Sequence, residues 1–389
     1  MDKPKLIRIV TVPMSLNKLL NGQWEYFKDY YSITAVSSNK KELEKFREHF
    51  NTSYHEIPLT RKITPFHDLY CIFKLYCFLR KEKPKIVHTQ TPKAGLVGMI
   101  AAFLARVPVR MHDVVGLPLM EKRGLKFYIL YYVEKLTYAC AHVIYPNSSG
   151  LKDYMLNINL VSSSKAKVIA HGSSNGIDVS HFSKKHYSAA SKKIFQKKWN
   201  LDPSDFVFLF VGRLVGDKGI NELILAFDKL SKQKSDLKLM LVGTYEEALD
   251  PLKNDTLEKI KVNSQIIYAA YQEDVRAFYA YTSCFVFPSY REGFPNVVLE
   301  ATAMELPCIV TDINGSNEII FNDYNGLVIP KKDPNKLQDA MYKVYADETF
   351  RNSIVVNARK GVEEKFEKKI FYSALLEEYK KQEQKCIEY

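Results

Sequence analysis

Through the first half of the chain, short β-branched runs alternate with longer segments whose apolar positions return every three or four residues. "LIRIVTV", "YSITAVS", "KIVHTQ", "VRMHDVV", "HVIYPN" and "AKVIAHG" predict strands. Between them, "GQWEYFKDYY", "KKELEKFREHF", "HDLYCIFKLYCFLRK", "AGLVGMIAAFLARV" and "LKFYILYYVEKLTYACA" predict helices. The second half repeats the alternation with "FVFLFVGR", "LKLMLVG", "QIIYAAY", "CFVFPSY" and "PCIVTD". Apolar strands alternating with helices imply parallel sheets covered on both faces, because a parallel strand must hide both sides.

A chain of 389 residues exceeds what one hydrophobic core usually serves, so two domains are expected. The seam falls in the lysine-rich, weakly periodic stretch His181 to Asn200. The boundary is set at Ser188: a first domain 1–187, a second 188–365, and a charged amphipathic helix 366–389 packed back on the first. Both domains read as open, doubly wound α/β units with a ligand crevice at the carboxyl ends of their strands.

Charge and cysteine content narrow the chemistry. The net charge of +12 fits an acidic partner, whether nucleic acid, a phosphorylated small molecule or an anionic membrane. Six scattered cysteines form no C-x-x-C pair, which suits reduced thiols in the cytoplasm rather than zinc or a dithiol. The start reads as a first strand rather than a signal peptide, and no uncharged apolar run is long enough to span a bilayer. Arg61 to Lys85 carries seven basic residues against Asp68 and Glu82. With Phe66, Tyr70 and Phe73, this region is either a core helix with cations at its C-terminus or a face resting on anionic lipid.

Two segments carry candidate chemistry. In "FLFVGRLVGDKGINELILAF" a strand ends in a glycine-rich loop holding Arg213 and Lys218. A guanidinium fork and an ammonium beside glycines can grip phosphate oxygens, although a plain βα turn with surface cations has the same composition. Neither a P-loop nor a G-x-G-x-x-G is present, which argues against nicotinamide or flavin. In "CFVFPSYREGFPNVVLEATAME" a strand, a turn and a helix follow one another, with Pro295 in the first helical turn. Seven residues separate Glu292, in the loop, from Glu300, inside the helix. Carboxylates accept but do not donate, so they suit sugar hydroxyls; a helix cap and a solvated helix face are the plainer roles. Glu300 follows Val297–Val298–Leu299, so a carboxylate there needs a partner.

Together, "VGRLVGDKG" and "PSYREGFPNVVLEATAMELPCIVTDINGSNEII" resemble the retaining nucleotide-sugar glycosyltransferases of family 4. "VHTQTPKAGLVGMIAA", "VGLPL" and "HGSSNGID" extend the resemblance over nearly the whole chain. It implies the GT-B fold, two Rossmann-like domains facing an inter-domain cleft, and is nearest to enzymes of capsule, O-antigen or lipid-linked glycan synthesis. It further implies that Arg213 and Lys218 hold the donor diphosphate and that Glu300 takes the ribose hydroxyls. Glu292, with Gly293, Phe294, Pro295 and Asn296, would meet the transferred sugar. The base would lie near Tyr271, and Gly22 would approach the phosphates. His112 is either the reacting-centre histidine displaced from the position before Gly116, held here by Val115, or a strand residue.

The expected reaction is hexosyl transfer with retention from a nucleotide-diphosphate sugar, UDP being the commonest nucleotide, to a glycan or polyprenyl-diphosphate-linked acceptor. No metal or other cofactor is expected, since neither an Asp-x-Asp motif nor another carboxylate cluster calls for a divalent metal. The expected location is cytoplasmic, peripheral on the inner membrane face. The alternatives are a non-hydrolysing nucleotide-sugar epimerase of the same fold and a basic nucleic-acid-binding protein. The latter lacks any recognisable nucleic-acid motif, so nucleic acid is not expected as a partner.

Overall fold

The computed structural model describes residues 3–20, 22–246 and 250–386. The chain divides into two units, Met1–Gly176 with Lys368–Tyr389, and Ile177–Glu367.

The first unit is built on six parallel strands: β1 (Lys5–Ile9), β2 (Ser32–Ser37), β3 (Ser53–Glu56), β4 (Ile86–Gln90), β5 (Val109–Val114) and β6 (Val143–Pro146). Their spatial order is β3-β2-β1-β4-β5-β6. Neighbouring residues alternate between two cores: Ile7, Ile9 and Val87 join one, Leu6, Ile86 and Met111 the other. The first core is closed by the helices Pro65–Glu82, Pro92–Leu104 and Leu125–Cys140. The second is closed by the C-terminal helix Lys368–Lys385, which buries Phe371, Tyr372, Leu375, Leu376 and Tyr379.

The second unit repeats the plan with β7 (Phe206–Val211), β8 (Leu237–Val242), β9 (Ile266–Ala270), β10 (Cys284–Phe287), β11 (Cys308–Thr311) and β12 (Leu327–Ile329). The order is β12-β11-β10-β7-β8-β9, again all parallel. Both sheets thus wind outward in two directions from a central pair, β1/β4 or β7/β10. The crevice outside the carboxyl ends of such a pair is where open α/β sheets bind ligands.

Three expectations need correction. The "AKVIAHG" segment forms no strand. It makes one bridge, Ile144 to Ala166, then turns away through Ala170 and Gly172, whose φ angles are 47° and 98°. The boundary falls before Ser188, at Gly176/Ile177. The Ile177 amide donates to the Phe366 carbonyl at 2.8 Å, and Val179, Phe182 and Tyr187 pack on the second core, so 177–187 belong to the second unit. Finally, Pro295 occupies the N-cap, and the helix starts at Asn296.

Candidate functional site

The site builds up where the second sheet changes direction. Loops leaving β7 and β10 meet there because glycine lets them. Gly219 has φ of 71°, and a Cβ on it would lie 2.1 Å from the Pro288 carbonyl oxygen. No other residue type fits that approach without moving backbone. The loop after β11 closes the third side: a Cβ on Gly315 would sit 2.6 Å from the Gly293 oxygen, and Asn314 Nδ2 donates to the Glu292 carbonyl at 2.5 Å.

This convergence brings Lys218 and Glu292 together as an ion pair, with side chains only 14% and 16% exposed. Ser289 Oγ donates to the same carboxylate at 2.9 Å, and the Lys218 ammonium lies 5.7 Å from the centre of the Phe287 ring. Arg213, in the same βα loop, is more open and binds Glu246 at 2.8 Å. Burial opposes its charge, but the hydrogen bond and charge of Glu246 prevail and raise its pKa. Arg291 pairs with Asp217 at 3.0 Å, and the Tyr290 amide donates to the Asp217 carbonyl at 2.8 Å, locking the two loops. From this platform runs the helix Asn296–Ala303, its N-terminal end beside Glu292. Inside it, Glu300 accepts from the Tyr279 hydroxyl at 2.9 Å. Tyr279 is fully buried; burial first, then the Glu300 charge, keeps its phenol protonated.

Arg213, Lys218, Glu292, Gly293, Phe294, Pro295, Asn296 and Glu300 therefore gather around the β7/β10 switch point. Tyr271 follows β9 and is 59% exposed. Gly22 belongs to the first unit, where its φ of 80° starts the helix Gln23–Phe27, and a Cβ there would touch the Tyr372 hydroxyl. Sequence reasoning missed Ser289, Glu246, Asn314 and Asp217, which hold the charged residues in place. The small polar residues in "VTDINGSNEII" were the available signal for Asn314.

His112 does not reach a ligand surface. It is 1% exposed, its Nδ1 is 2.7 Å from Thr89 Oγ1, and its ring packs against Tyr138. Burial lowers its pKa to about 4. A Cβ on Gly95 would come within 2.3 Å of its ring, so His112 fills the space under the start of the Pro92–Leu104 helix. It is a buried residue of β5 in this structure. On the other face His88 bonds Asp113 at 2.7 Å, Arg8 at 2.9 Å and Tyr379 at 2.8 Å, a buried network tying the C-terminal helix to the sheet. Among the described residues no group of three His, Cys, Asp or Glu side chains is placed to hold a metal ion.

The first unit also exposes two matching apolar stripes. On the Pro65–Glu82 helix, Phe66, Leu69, Tyr70 and Phe73 face solvent. On the Leu125–Cys140 helix, Leu125, Tyr128, Ile129, Tyr132 and Leu136 do the same, at the same helical spacing. Both helices pack against Pro92–Leu104. Exposed cations flank them: Arg61, Lys62, Lys74 and Lys81 on one side, Arg123, Lys126 and Lys135 on the other. No helix among the described residues is long and apolar enough to cross a membrane.

Two doubly wound α/β units of this topology make the GT-B fold. Residues 191–361 match the family model "Glycosyl transferases group 1", and residues 36–172 match "Glycosyl transferase 4-like domain". The chain is 36% identical over 376 residues to the capsular polysaccharide biosynthesis glycosyltransferase CapM of Staphylococcus aureus, covering 96% of each chain. It is 27% identical to the Escherichia coli UDP-Gal:alpha-D-GlcNAc-diphosphoundecaprenol alpha-1,3-galactosyltransferase, over 86% of this chain and 85% of that one. The crystal structure of Anabaena Alr3699/HepE in complex with UDP shares the fold at a TM-score of 0.80 and 16% identity, covering 97% of this chain and 100% of that one. The chain belongs to the group 1, family 4-like glycosyltransferases.

Proposed function

We propose that the protein transfers a hexosyl group, with retention, from a UDP-sugar to a polyprenyl-diphosphate-linked sugar during synthesis of a bacterial surface glycan. The observation that carries this reading is the Lys218–Glu292 pair beside Arg213 at the β7/β10 switch point. Two cations and a helix N-terminus supply positive potential where a leaving diphosphate gathers charge. Glu292 keeps the ammonium in position until the donor arrives, then accepts from hydroxyls of the transferred sugar. Glu300 accepts from the ribose hydroxyls, while the Tyr279 hydroxyl holds it in place. Tyr271 offers its ring and backbone to the base.

In the reaction the acceptor hydroxyl oxygen approaches the anomeric carbon on the face the diphosphate is leaving. The carbon–phosphate-oxygen bond breaks, the new glycosidic bond forms on the same face, and the acceptor proton passes to a donor phosphate oxygen. Arg213 and Lys218 stabilise the departing UDP, so the step needs neither a metal nor a flanking pair of carboxylates. The E. coli relative, named for a UDP-galactose donor and a diphosphoundecaprenol-linked acceptor, supports the donor and acceptor classes. The exposed apolar stripes with their cations support a peripheral position on the cytoplasmic face of an anionic membrane.

The test is incubation with a panel of UDP-sugars and lipid-linked monosaccharide diphosphates, reading UDP release and the anomeric configuration of the product by NMR. Acceptor-dependent UDP release with a retained anomer is expected. Release of a free epimerised UDP-sugar without acceptor, or an inverted product, would overturn the reading.

A further inference from the structure

A cavity of about 460 Å³ opens in the first unit near the carboxyl ends of β1 and β4. Val12, Leu96, Leu119, Leu130 and Val133 make its walls mainly apolar. Its size falls within the range of about 300–1,000 Å³ typical of small-molecule sites. Ile63 and Ile129 line it and are also exposed, 77% and 48%, so the cavity is continuous with the face that carries the apolar stripes. Arg61 and Lys62, both exposed, stand among its lining residues, and Lys93 pairs with Asp68 at 2.5 Å beside them. Deeper, Glu134 contributes a carboxyl that is only 6% exposed.

These features select an occupant with two unlike parts. The mainly apolar walls disfavour a nucleotide or a free sugar: of the polar groups that line them, Thr11 and Thr91 are bonded to each other and Asp68 is paired with Lys93, so few are left for a guest's hydroxyls. The cations have nothing to offer a neutral hydrocarbon. We propose that the cavity receives the first isoprene units of the polyprenyl-diphosphate acceptor, with Arg61 and Lys62 holding the diphosphate at its mouth. This rests on the acceptor class proposed above and adds the place where the lipid is gripped. A chain leaving the bilayer along the stripes would enter the cavity without crossing water. Glu134 is compatible with such a guest: burial raises its pKa to about 7, so a large share of it is uncharged near neutrality.

The test is calorimetric titration of the intact protein with farnesyl diphosphate, farnesol and inorganic pyrophosphate. Farnesyl diphosphate should bind at least about tenfold tighter than either fragment, since each fragment fills half of the site. Leu96→Trp and Val133→Trp, which fill the cavity, should each weaken it about tenfold or more while leaving UDP binding unchanged. Arg61→Glu with Lys62→Glu lies on exposed positions outside the core and should do the same, which decides the matter if a filling variant does not fold. Pyrophosphate binding as tightly as farnesyl diphosphate, or farnesyl diphosphate affinity untouched by these changes, would overturn the assignment. If sugar transfer to a lipid-linked acceptor proceeds while the filled variants keep the wild-type acceptor KM, the cavity assignment fails and the transferase reading stands. If the filled variants lose farnesyl diphosphate but wild type transfers no sugar, the reverse holds.

Discussion

Lys218 and Glu292 form an ion pair sheltered enough that removing one partner strands the other. Lys218→Ala should therefore cost on the order of 2 kcal/mol of stability in denaturant unfolding, the penalty of a sheltered carboxylate that loses its counter-charge and keeps the Ser289 hydrogen bond. Lys218→Ala with Glu292→Gln should recover much of that loss without recovering UDP binding; a double variant no more stable than the single would count against the pairing. A second prediction concerns His112. Its folded pKa, about 4 against an ordinary 6.5, means that the native state binds fewer protons than the unfolded chain between those values. Stability is then lost as pH falls through that window, by about 3 kcal/mol in total. Glu134, raised to about 7 from an ordinary 4.5, contributes in the opposite sense, with stability falling as pH rises toward 7. The difference between wild type and His112→Asn isolates the histidine: the variant should lose less stability between pH 6.5 and 4, and parallel curves would refute the buried neutral ring. Arg213, Lys218 and Glu292 stand out in the sequence because each adjoins a glycine in a loop that follows a strand, and Glu300 because it follows Val297–Val298–Leu299. Glu246, 33 residues from Arg213, and Asn314, 22 from Glu292, were not, since a short polar side chain in a loop gives no sign of its distant partner. The strand carrying His112 was legible, but not which of its two faces the ring would occupy.

At the scale of elements, strands with unbroken apolar runs such as "FVFLFV" could be read directly, because burial on both faces leaves a run no loop shares. β3 and β12, four and three residues long at the sheet edges, carry too few positions to show a period. The helix Leu125–Cys140 is legible as a helix, yet its outward stripe is not. Apolar residues stand on nearly every side of it, so their spacing does not say which face meets the core. The structure separates the two faces: Thr137 and Tyr138 go in, Tyr128 and Tyr132 stay out. Flotation with vesicles containing phosphatidylglycerol should carry the protein upward, and Phe66→Ser, Phe73→Ser and Tyr132→Ser combined should reduce the floated fraction at least about fivefold, by loss of buried apolar area. Added salt should weaken the remainder, as screening of exposed lysines and arginines requires. Equal flotation of the triple variant would exclude the stripes from lipid contact.

For the whole molecule, the two-unit organisation could be read from length and alternation, but the exact seam could not. Residues 181–187 look like linker in sequence, yet the whole stretch 177–187 is held to the second unit by backbone pairing and side-chain packing. The C-terminal helix is integral to the first unit: Tyr379 reaches Arg8 and His88, and Glu378 accepts from Tyr145 at 3.1 Å. Deletion of 368–389 would empty the places that Phe371, Tyr372 and Leu375 fill in the second core of that unit. The truncated chain should therefore aggregate or lose its cooperative unfolding transition; an unchanged transition would contradict that packing. The central claim, that the β7/β10 switch point seats a nucleoside diphosphate, is tested most directly by calorimetric titration of UDP into wild type, Arg213→Ala and Lys218→Ala. Saturable binding by wild type, weakened about tenfold or more in each folded variant, is the predicted result. No binding by wild type, or the same affinity in all three, would contradict it.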